Sequence, residues 1–179
     1  MRLAPCPPAT FFVTLRLADR RSDLLVRQID AFRHAMRGAM QRMPFAIDAI
    51  TVMPALTHMI LALPPEAATD AKPPVQTLKR RFVQLVAPDG RAAAASGAAS
   101  LWHRDSWICP LTTALDRARH RTLIYHAPVE AGLCARPQDW LHSSLHRDLR
   151  ADGDVTLDVP QQARATDHGA LPAKAVVLT

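Results

Sequence analysis

Residues 48–64 read DAITVMPALTHMILALP and contain two apolar segments on either side of the pair Pro54-Ala55. Apolar and β-branched residues in short runs favour strands, and a proline in the connection favours a tight turn. The sequence therefore predicts strands over 45–53 and 57–63 that pair as an antiparallel hairpin.

The elements on either side of this hairpin decide the fold class. They are a strand over 11–17, a helix from Ser22 to just before Pro44, a helix over 74–85, a strand over 101–109, a helix over 111–125 and a short helix or turn over 139–150. The order strand-helix-strand-strand-helix-strand-helix predicts an α+β fold, with a ferredoxin-like antiparallel sheet and helices packed mainly on one face.

The domain organisation follows from the segments without periodicity. Residues 1–150 are expected to form a single domain. Residues 87–100 are rich in Ala, Gly and Ser and are expected to form a mobile loop. Residues 151–179 carry scattered hydrophobic residues among Gly, Asp and Pro, which predicts a partly disordered C-terminal tail.

The composition narrows the class of protein. A chain of 179 residues with 49% hydrophobic residues can bury one ordinary core. No apolar run is long enough to cross a membrane, and the N-terminus lacks a secretory signal, so a cytoplasmic protein without a membrane partner is expected. Three cysteines without a CxxC pair indicate neither a disulfide framework nor a zinc site.

The charge points to a polyanionic partner. The formal net charge is +6 and the pI is near 10.0, although codon bias in a GC-rich genome would also enrich Arg. The basic residues that we expect near DNA are Arg16, Lys79, Arg80, Arg81, Arg104 and Arg121; the alternative for each is a solvated surface position. Trp102, Trp107 and Trp140 are expected either to stack on bases or to pack in the core.

Five segments, taken in order, resemble REP-associated tyrosine transposases of the single-tyrosine (HUH-type) insertion-sequence class. They are FVTLRLAD (12–19), FAIDAITVMP (45–54), LKRRF (78–82), LWHRDSW (101–107) and PVEAGLCARPQDWLHSS (128–144). The resemblance runs from about Phe11 to Arg150. It implies single-stranded or hairpin DNA as the partner, and it leaves a homodimer as an option because some relatives dimerise.

The resemblance also implies a chemistry. In this family a tyrosine hydroxyl attacks a phosphodiester and forms a covalent phosphotyrosine, while a divalent ion, Mg²⁺ or Mn²⁺, neutralises charge in the transition state. A His-hydrophobic-His triplet holds the ion, because residues two apart on a strand point to the same face. Here His58 occupies the second His position and is the candidate metal ligand, whereas Leu56 occupies the first.

The nucleophile position differs from the family pattern as well. Leu123 stands where the family has its tyrosine, and Ala127 where it has an asparagine. Tyr125 is the only tyrosine in the chain and is the candidate catalytic residue, although a continuous helix would turn it roughly 200° away from position 123.

Three hypotheses remain open from the sequence. The preferred one is a transposase-like DNA-binding protein with impaired catalysis. The second is an active transposase that uses Tyr125 and a metal site rebuilt around His58. The third is a basic ferredoxin-like interaction domain without DNA activity.

Overall fold

A computed structural model of the protein describes residues 9–65, 70–87 and 101–152. Four strands and five helices follow one another in these residues. They are β1 (Ala9–Arg16), α1 (Leu24–Arg27), α2 (Ile29–Arg42), β2 (Ala46–Val52), β3 (Leu56–Leu63), α3 (Lys72–Val86), β4 (Trp107–Leu111), α4 (Ala114–Glu130) and α5 (Leu145–Asp152), with a 3₁₀ turn at Pro137–Asp139. The mobile loop expected over 87–100 and the tail expected over 151–179 lie outside the described residues, apart from their first residues.

The four strands form one antiparallel sheet in the order β2-β3-β1-β4. The hairpin predicted from residues 48–64 is present, with β2 and β3 paired across a bulge at Asp48. Strand β1 lies between β3 and β4, so that Thr14 is opposite His58 on one side and Trp107 on the other. This strand order, together with the two helical crossovers, confirms the predicted ferredoxin-like α+β fold.

One face of the sheet carries the larger apolar core. Phe11, Val13 and Leu15 alternate along β1 toward this face, as the two-residue period of a strand requires. Phe32 of α2 and Phe82 of α3 pack there, with their ring centroids 5.7 Å apart. Helices α2 and α3 therefore cover this face.

The opposite face has a helix of its own. Phe12 and Ile60 point to this side and pack with Ile124 and Tyr125 of α4. Leu145 at the start of α5 completes this second cluster. Helices therefore lie on both faces of the sheet. On the second face, Ile124 and Tyr125 of α4 bury the apolar side chains of β1 and β3.

The fourth strand and the fourth helix begin later than predicted. The predicted strand over 101–109 is an isolated bridge between Leu17 and Trp102, followed by β4 from Trp107 to Leu111. Trp102 turns inward because its indole N–H donates to the carbonyl of Lys79 at 3.1 Å. Leu111 belongs to β4, and Thr113 caps α4 by accepting a hydrogen bond from the backbone N–H of Asp116 at 3.0 Å.

Two smaller boundaries also differ. The helix predicted from Ser22 is interrupted at Gln28, whose φ of −108° and ψ of 36° separate α1 from α2. The segment predicted over 139–150 divides into the 3₁₀ turn and α5. Among the helices that the structure describes, none has the length and apolar character that crossing a bilayer requires.

Candidate functional site

His58 lies on β3, on the sheet face that α4 covers. Its Nδ1 and the Thr14 hydroxyl of the neighbouring strand are 2.8 Å apart and share a hydrogen bond. Burial lowers the pKa of His58 to about 4, so that the ring is neutral near pH 7. A neutral imidazole with a fixed Nδ1 presents Nε2 as its remaining polar group.

Phe12 links His58 to the helix above it. Its ring stacks on His58 at a centroid distance of 5.6 Å and contacts His120 of α4 at 4.8 Å. The Nδ1 of His120 donates to the backbone carbonyl of Asp116 at 2.8 Å. His120 was not predicted as a site residue from the sequence, although its spacing of four residues from the buried Ile124 would have placed it on the inward face of the helix.

The donors around His58 do not fit a divalent metal of the Mg²⁺ or Mn²⁺ type. By strand alternation, Leu56 and Ile60 share its face, and neither offers a ligand atom. Within residues 9–65, 70–87 and 101–152, no group of three or more His, Cys, Asp or Glu side chains could hold a metal ion. Hard cations require several ligand atoms, mostly oxygens, and the residues around His58 do not supply them.

Tyr125 is buried inside the molecule rather than exposed at a cleft. Helix α4 continues to Glu130, and only 1% of Tyr125 is accessible to solvent. Its hydroxyl donates to the carboxylate of Asp148 in α5 and lies 3.3 Å from the Ser144 hydroxyl. Burial, aided by Asp148, raises the pKa of Tyr125 to about 12. Leu123, at the position where the family resemblance places the nucleophile, is 43% exposed.

Arg121 belongs to the same polar network. Its guanidinium forms an ion pair with Asp48 at the β2 bulge and lies 3.8 Å from the carboxylate of Asp148. Arg147 also reaches Asp148, at 2.8 Å, and donates to the backbone carbonyls of Ile47 and Asp48. These contacts hold α4 and α5 against the edge of the sheet. The Arg121 guanidinium is therefore paired with carboxylates of the protein itself.

The basic residues expected near DNA divide into two groups. Arg80 and Arg104 are exposed, and Arg16 ends β1 opposite Leu56 of the His58 strand. In contrast, Lys79 donates to the carbonyl of His103 at 3.1 Å and to the Ser106 hydroxyl at 3.3 Å. Burial lowers the pKa of Lys79, while Asp105 opposes that shift.

Arg81 packs against α2 rather than projecting into solvent. A Cβ added at Gly38 would lie 2.5 Å from a terminal nitrogen of the Arg81 guanidinium, which shows how closely the two helices approach. Of the three tryptophans, Trp102 is buried and Trp107 is 42% exposed. Because Trp107 is opposite Thr14 in the register, it lies on the same sheet face as His58.

Comparisons with known proteins agree with this architecture. No protein-family model matches the chain. A REP-associated tyrosine transposase of Escherichia coli (strain K12) is 31% identical over 154 residues, which cover 82% of this chain and 87% of the relative. A relative from Haemophilus influenzae that carries the same family name is 29% identical over 146 residues, covering 79% of this chain and 82% of its own length.

A solved structure gives the corresponding result in three dimensions. The REP-associated tyrosine transposase bound to a REP hairpin matches with a TM-score of 0.72 and 28% sequence identity, over 100% of this chain and 98% of that one. The antiparallel sheet with its covering helices therefore has the transposase fold. The chain belongs to the family of REP-associated tyrosine transposases.

Proposed function

We propose that this protein binds single-stranded or hairpin DNA and that strand cleavage and rejoining are impaired in it. The observation that carries the second part is the state of Tyr125. A tyrosine nucleophile must present its hydroxyl to a phosphate and lose its proton. The Tyr125 hydroxyl is instead buried, donates to Asp148 and has a pKa raised to about 12.

The surroundings of His58 support the same conclusion. One neutral imidazole beside Leu56 cannot replace the ligand set that a hard cation needs. Leu123 gives the exposed position on α4 an apolar side chain that cannot act as a nucleophile. Among its described residues, the chain therefore lacks both the metal ligands and the exposed nucleophile that the family's cleavage chemistry requires.

DNA binding is supported by the charge and by the relative that was solved with a REP hairpin. We assign direct phosphate contacts to Arg80 and Arg104, which are exposed, and to Arg16 beside the His58 strand. Trp107 offers a half-exposed indole on which an unpaired base can stack. Lys79, Arg81 and Arg121 then act by positioning the elements that they tie together.

The test is incubation of the purified protein with a hairpin-bearing single-stranded oligonucleotide and Mg²⁺ or Mn²⁺, the ions that the family resemblance implies. A denaturing gel detects a covalent adduct, and a native gel at several salt concentrations detects binding. We expect no adduct and a shift that weakens steeply with salt, because phosphate contacts release counterions. The stoichiometry of the shifted complex also tests the homodimer.

Two variants sharpen this test. Tyr125→Phe is expected to behave as the parent does, and an adduct that the parent forms and Tyr125→Phe loses would establish an active Tyr125 instead. A triple variant, Leu56→His with Leu123→Tyr and Ala127→Asn, restores the family's residues at these three positions and is expected to gain adduct formation. A protein that shifts the oligonucleotide at none of the salt concentrations would favour the interaction domain without DNA activity.

A further inference from the structure

A pocket lies on the side of the sheet opposite His58, between α2, β2 and the segment that precedes α5. Its volume is about 330 Å³, at the small end of the range for ligand pockets. Phe32, Met36, Ile50 and Val52 are among the apolar residues that line it. Phe32 and Met36 are also part of the main core, so the pocket has a fixed apolar base.

The outer wall is held by backbone hydrogen bonds. The N–H of Val52 donates to the carbonyl of His142 at 2.9 Å, and the N–H of Ser144 donates to the carbonyl of Ile50 at 2.8 Å. The indole of Trp140 donates to the carbonyl of Val52 at 2.9 Å. The wall is therefore built as an extension of the sheet, and hydrogen bonds within the protein hold its position.

The pocket is lined by cationic groups and by an unpaired imidazole nitrogen, in addition to the Ser143 and Ser144 hydroxyls, which accept hydrogen bonds from β2. Arg33 and Arg37 of α2 line it and are exposed, and Arg147 lines it from α5. His142 lines it as well, and its Nδ1 is a buried atom with no hydrogen-bond partner in the described chain. A buried polar atom without a partner is costly, so a ligand that pairs with it gains affinity.

These features match the two halves of a nucleotide. A nucleobase has an apolar face and hydrogen-bonding edges, while its flanking phosphates are anionic and suit the planar fork of arginine. Arg33 pairs with Asp30 at 3.2 Å and Arg147 with Asp148, whereas the Arg37 guanidinium has no protein partner among the described residues. An apolar peptide would fill the lining but would pair neither with Arg37 nor with the Nδ1 of His142. We propose that this pocket holds one unpaired nucleotide of the bound DNA, with its base on the apolar lining beside His142 and its phosphates at Arg33 and Arg37.

This assignment rests on the proposed DNA binding and adds a second site, on the sheet face away from His58. The test is a scan in which a single abasic site is placed at each position of a single-stranded oligonucleotide. In the parent protein we expect one position at which loss of the base weakens binding about tenfold, whereas the other positions change little.

The pocket is then filled with Ile50→Phe, which places a larger side chain among the lining residues. The variant is expected to bind the intact oligonucleotide about tenfold more weakly and to lose the abasic penalty to within about twofold. The matched control is Ile108→Phe on β4, since Ile108 packs against the same core but does not line the pocket. Ile108→Phe should keep the full loss of affinity that the abasic site causes in the parent protein.

A second pair of variants does not depend on the core. Arg37→Gln removes a rim charge and is expected to weaken binding several-fold, whereas Arg42→Gln, on the same helix but outside the lining, should change it less than twofold. An abasic profile without a penalised position, or a penalty that persists in Ile50→Phe, would overturn the pocket while leaving DNA binding intact. A protein that binds no DNA at all would overturn both proposals.

Discussion

The two faces of the sheet differ in how they are closed. Helices α2 and α3 close one face with rings and aliphatic side chains, among them Phe32 and Phe82. Helix α4 closes the other with a small apolar cluster bordered by His58 and by the Tyr125–Asp148 contact. Buried polar groups contribute little net stability and are costly when unpaired, whereas apolar burial is the dominant stabilising contribution.

This difference separates two tasks within one domain. The first face supplies most of the stability, and the second face carries the groups that the family resemblance connects with chemistry. The comparison predicts that substitutions on the first face change the free energy of unfolding, and that substitutions on the second change titration behaviour with smaller losses of stability. Four measurements test it, from the largest effect to the smallest.

Phe82→Ala should have the largest effect. Phe82 is fully buried and contacts Phe32 at 5.7 Å and Trp102 at 5.5 Å between ring centroids. Truncation leaves a cavity in the main core, and we expect a loss of about 3–5 kcal/mol in the free energy of unfolding, measured in denaturant. A loss below about 1 kcal/mol would contradict the assignment of stability to this face.

The pH dependence of stability tests His58 on the second face. Its pKa is lowered to about 4 in the folded protein from the usual histidine value of 6.5, so between these values the unfolded chain binds a proton that the folded chain does not. The contribution of the neutral His58 to the free energy of unfolding should therefore be fully present above pH 6.5. It should be lost as the pH decreases toward 4, by at most roughly 3 kcal/mol.

The control for this measurement is His58→Gln, which cannot titrate in that range. The difference in unfolding free energy between the parent and His58→Gln should shrink as the pH falls from 6.5 to 4. A difference that stays constant with pH would mean that the ring is already protonated or freely solvated in the folded protein.

Tyr125 can be followed by its own absorbance because it is the only tyrosine in the chain. Phenolate absorbance in the folded protein should appear with a midpoint near pH 12 instead of near 10. Since the folded pKa is raised, stability should fall as the pH rises from about 10 toward 12.

Tyr125→Phe should lower the unfolding free energy by about 1–2 kcal/mol through loss of the hydrogen bond to Asp148. It removes the phenol without shrinking the ring, so the packing of the second cluster is retained. A phenolate midpoint near 10 would show a solvated hydroxyl and would support the hypothesis that Tyr125 is an active nucleophile.

The smallest effect on stability is expected at Arg80. Arg80→Gln should change the unfolding free energy by less than about 0.5 kcal/mol, while the slope of the logarithm of DNA affinity against the logarithm of salt concentration decreases in magnitude by about one. The matched variant is Arg81→Gln, whose guanidinium packs at Gly38. We expect Arg81→Gln to leave the salt slope nearly unchanged. Equal salt slopes for the two variants would show that the packing of Arg81 does not keep it from the DNA.

The sequence was sufficient to predict the hairpin and the sheet class, because alternation and turn residues are local signals. It misplaced β4 because the strand is set by remote contacts, such as the hydrogen bond from the Trp102 indole to the Lys79 carbonyl. Pro110 also lies inside β4, a position that is tolerated on an edge strand but argues against a strand in the sequence alone.

The candidate site was predicted less completely. His58 and Tyr125 were found from the family pattern, but that pattern does not give burial, and the Asp148 partner of Tyr125 lies 23 residues further along the chain. Arg33 and Arg37 of α2 were not predicted as site residues from the sequence. Their role as pocket residues depends on β2 and on the segment at His142, which no local period connects to them.

The segment at His142–Ser144 has a consequence for how the protein behaves in a crowded solution. A strand at the border of a sheet exposes unpaired N–H and C=O groups that can recruit a strand from another molecule. The pairing of Val52 and Ile50 with this segment occupies those groups along β2, and Pro110 removes a donor from β4 at the other border. The segment after α4 therefore covers the β2 edge of the sheet and should limit edge-to-edge aggregation. A truncation before His142 should make the protein prone to self-association.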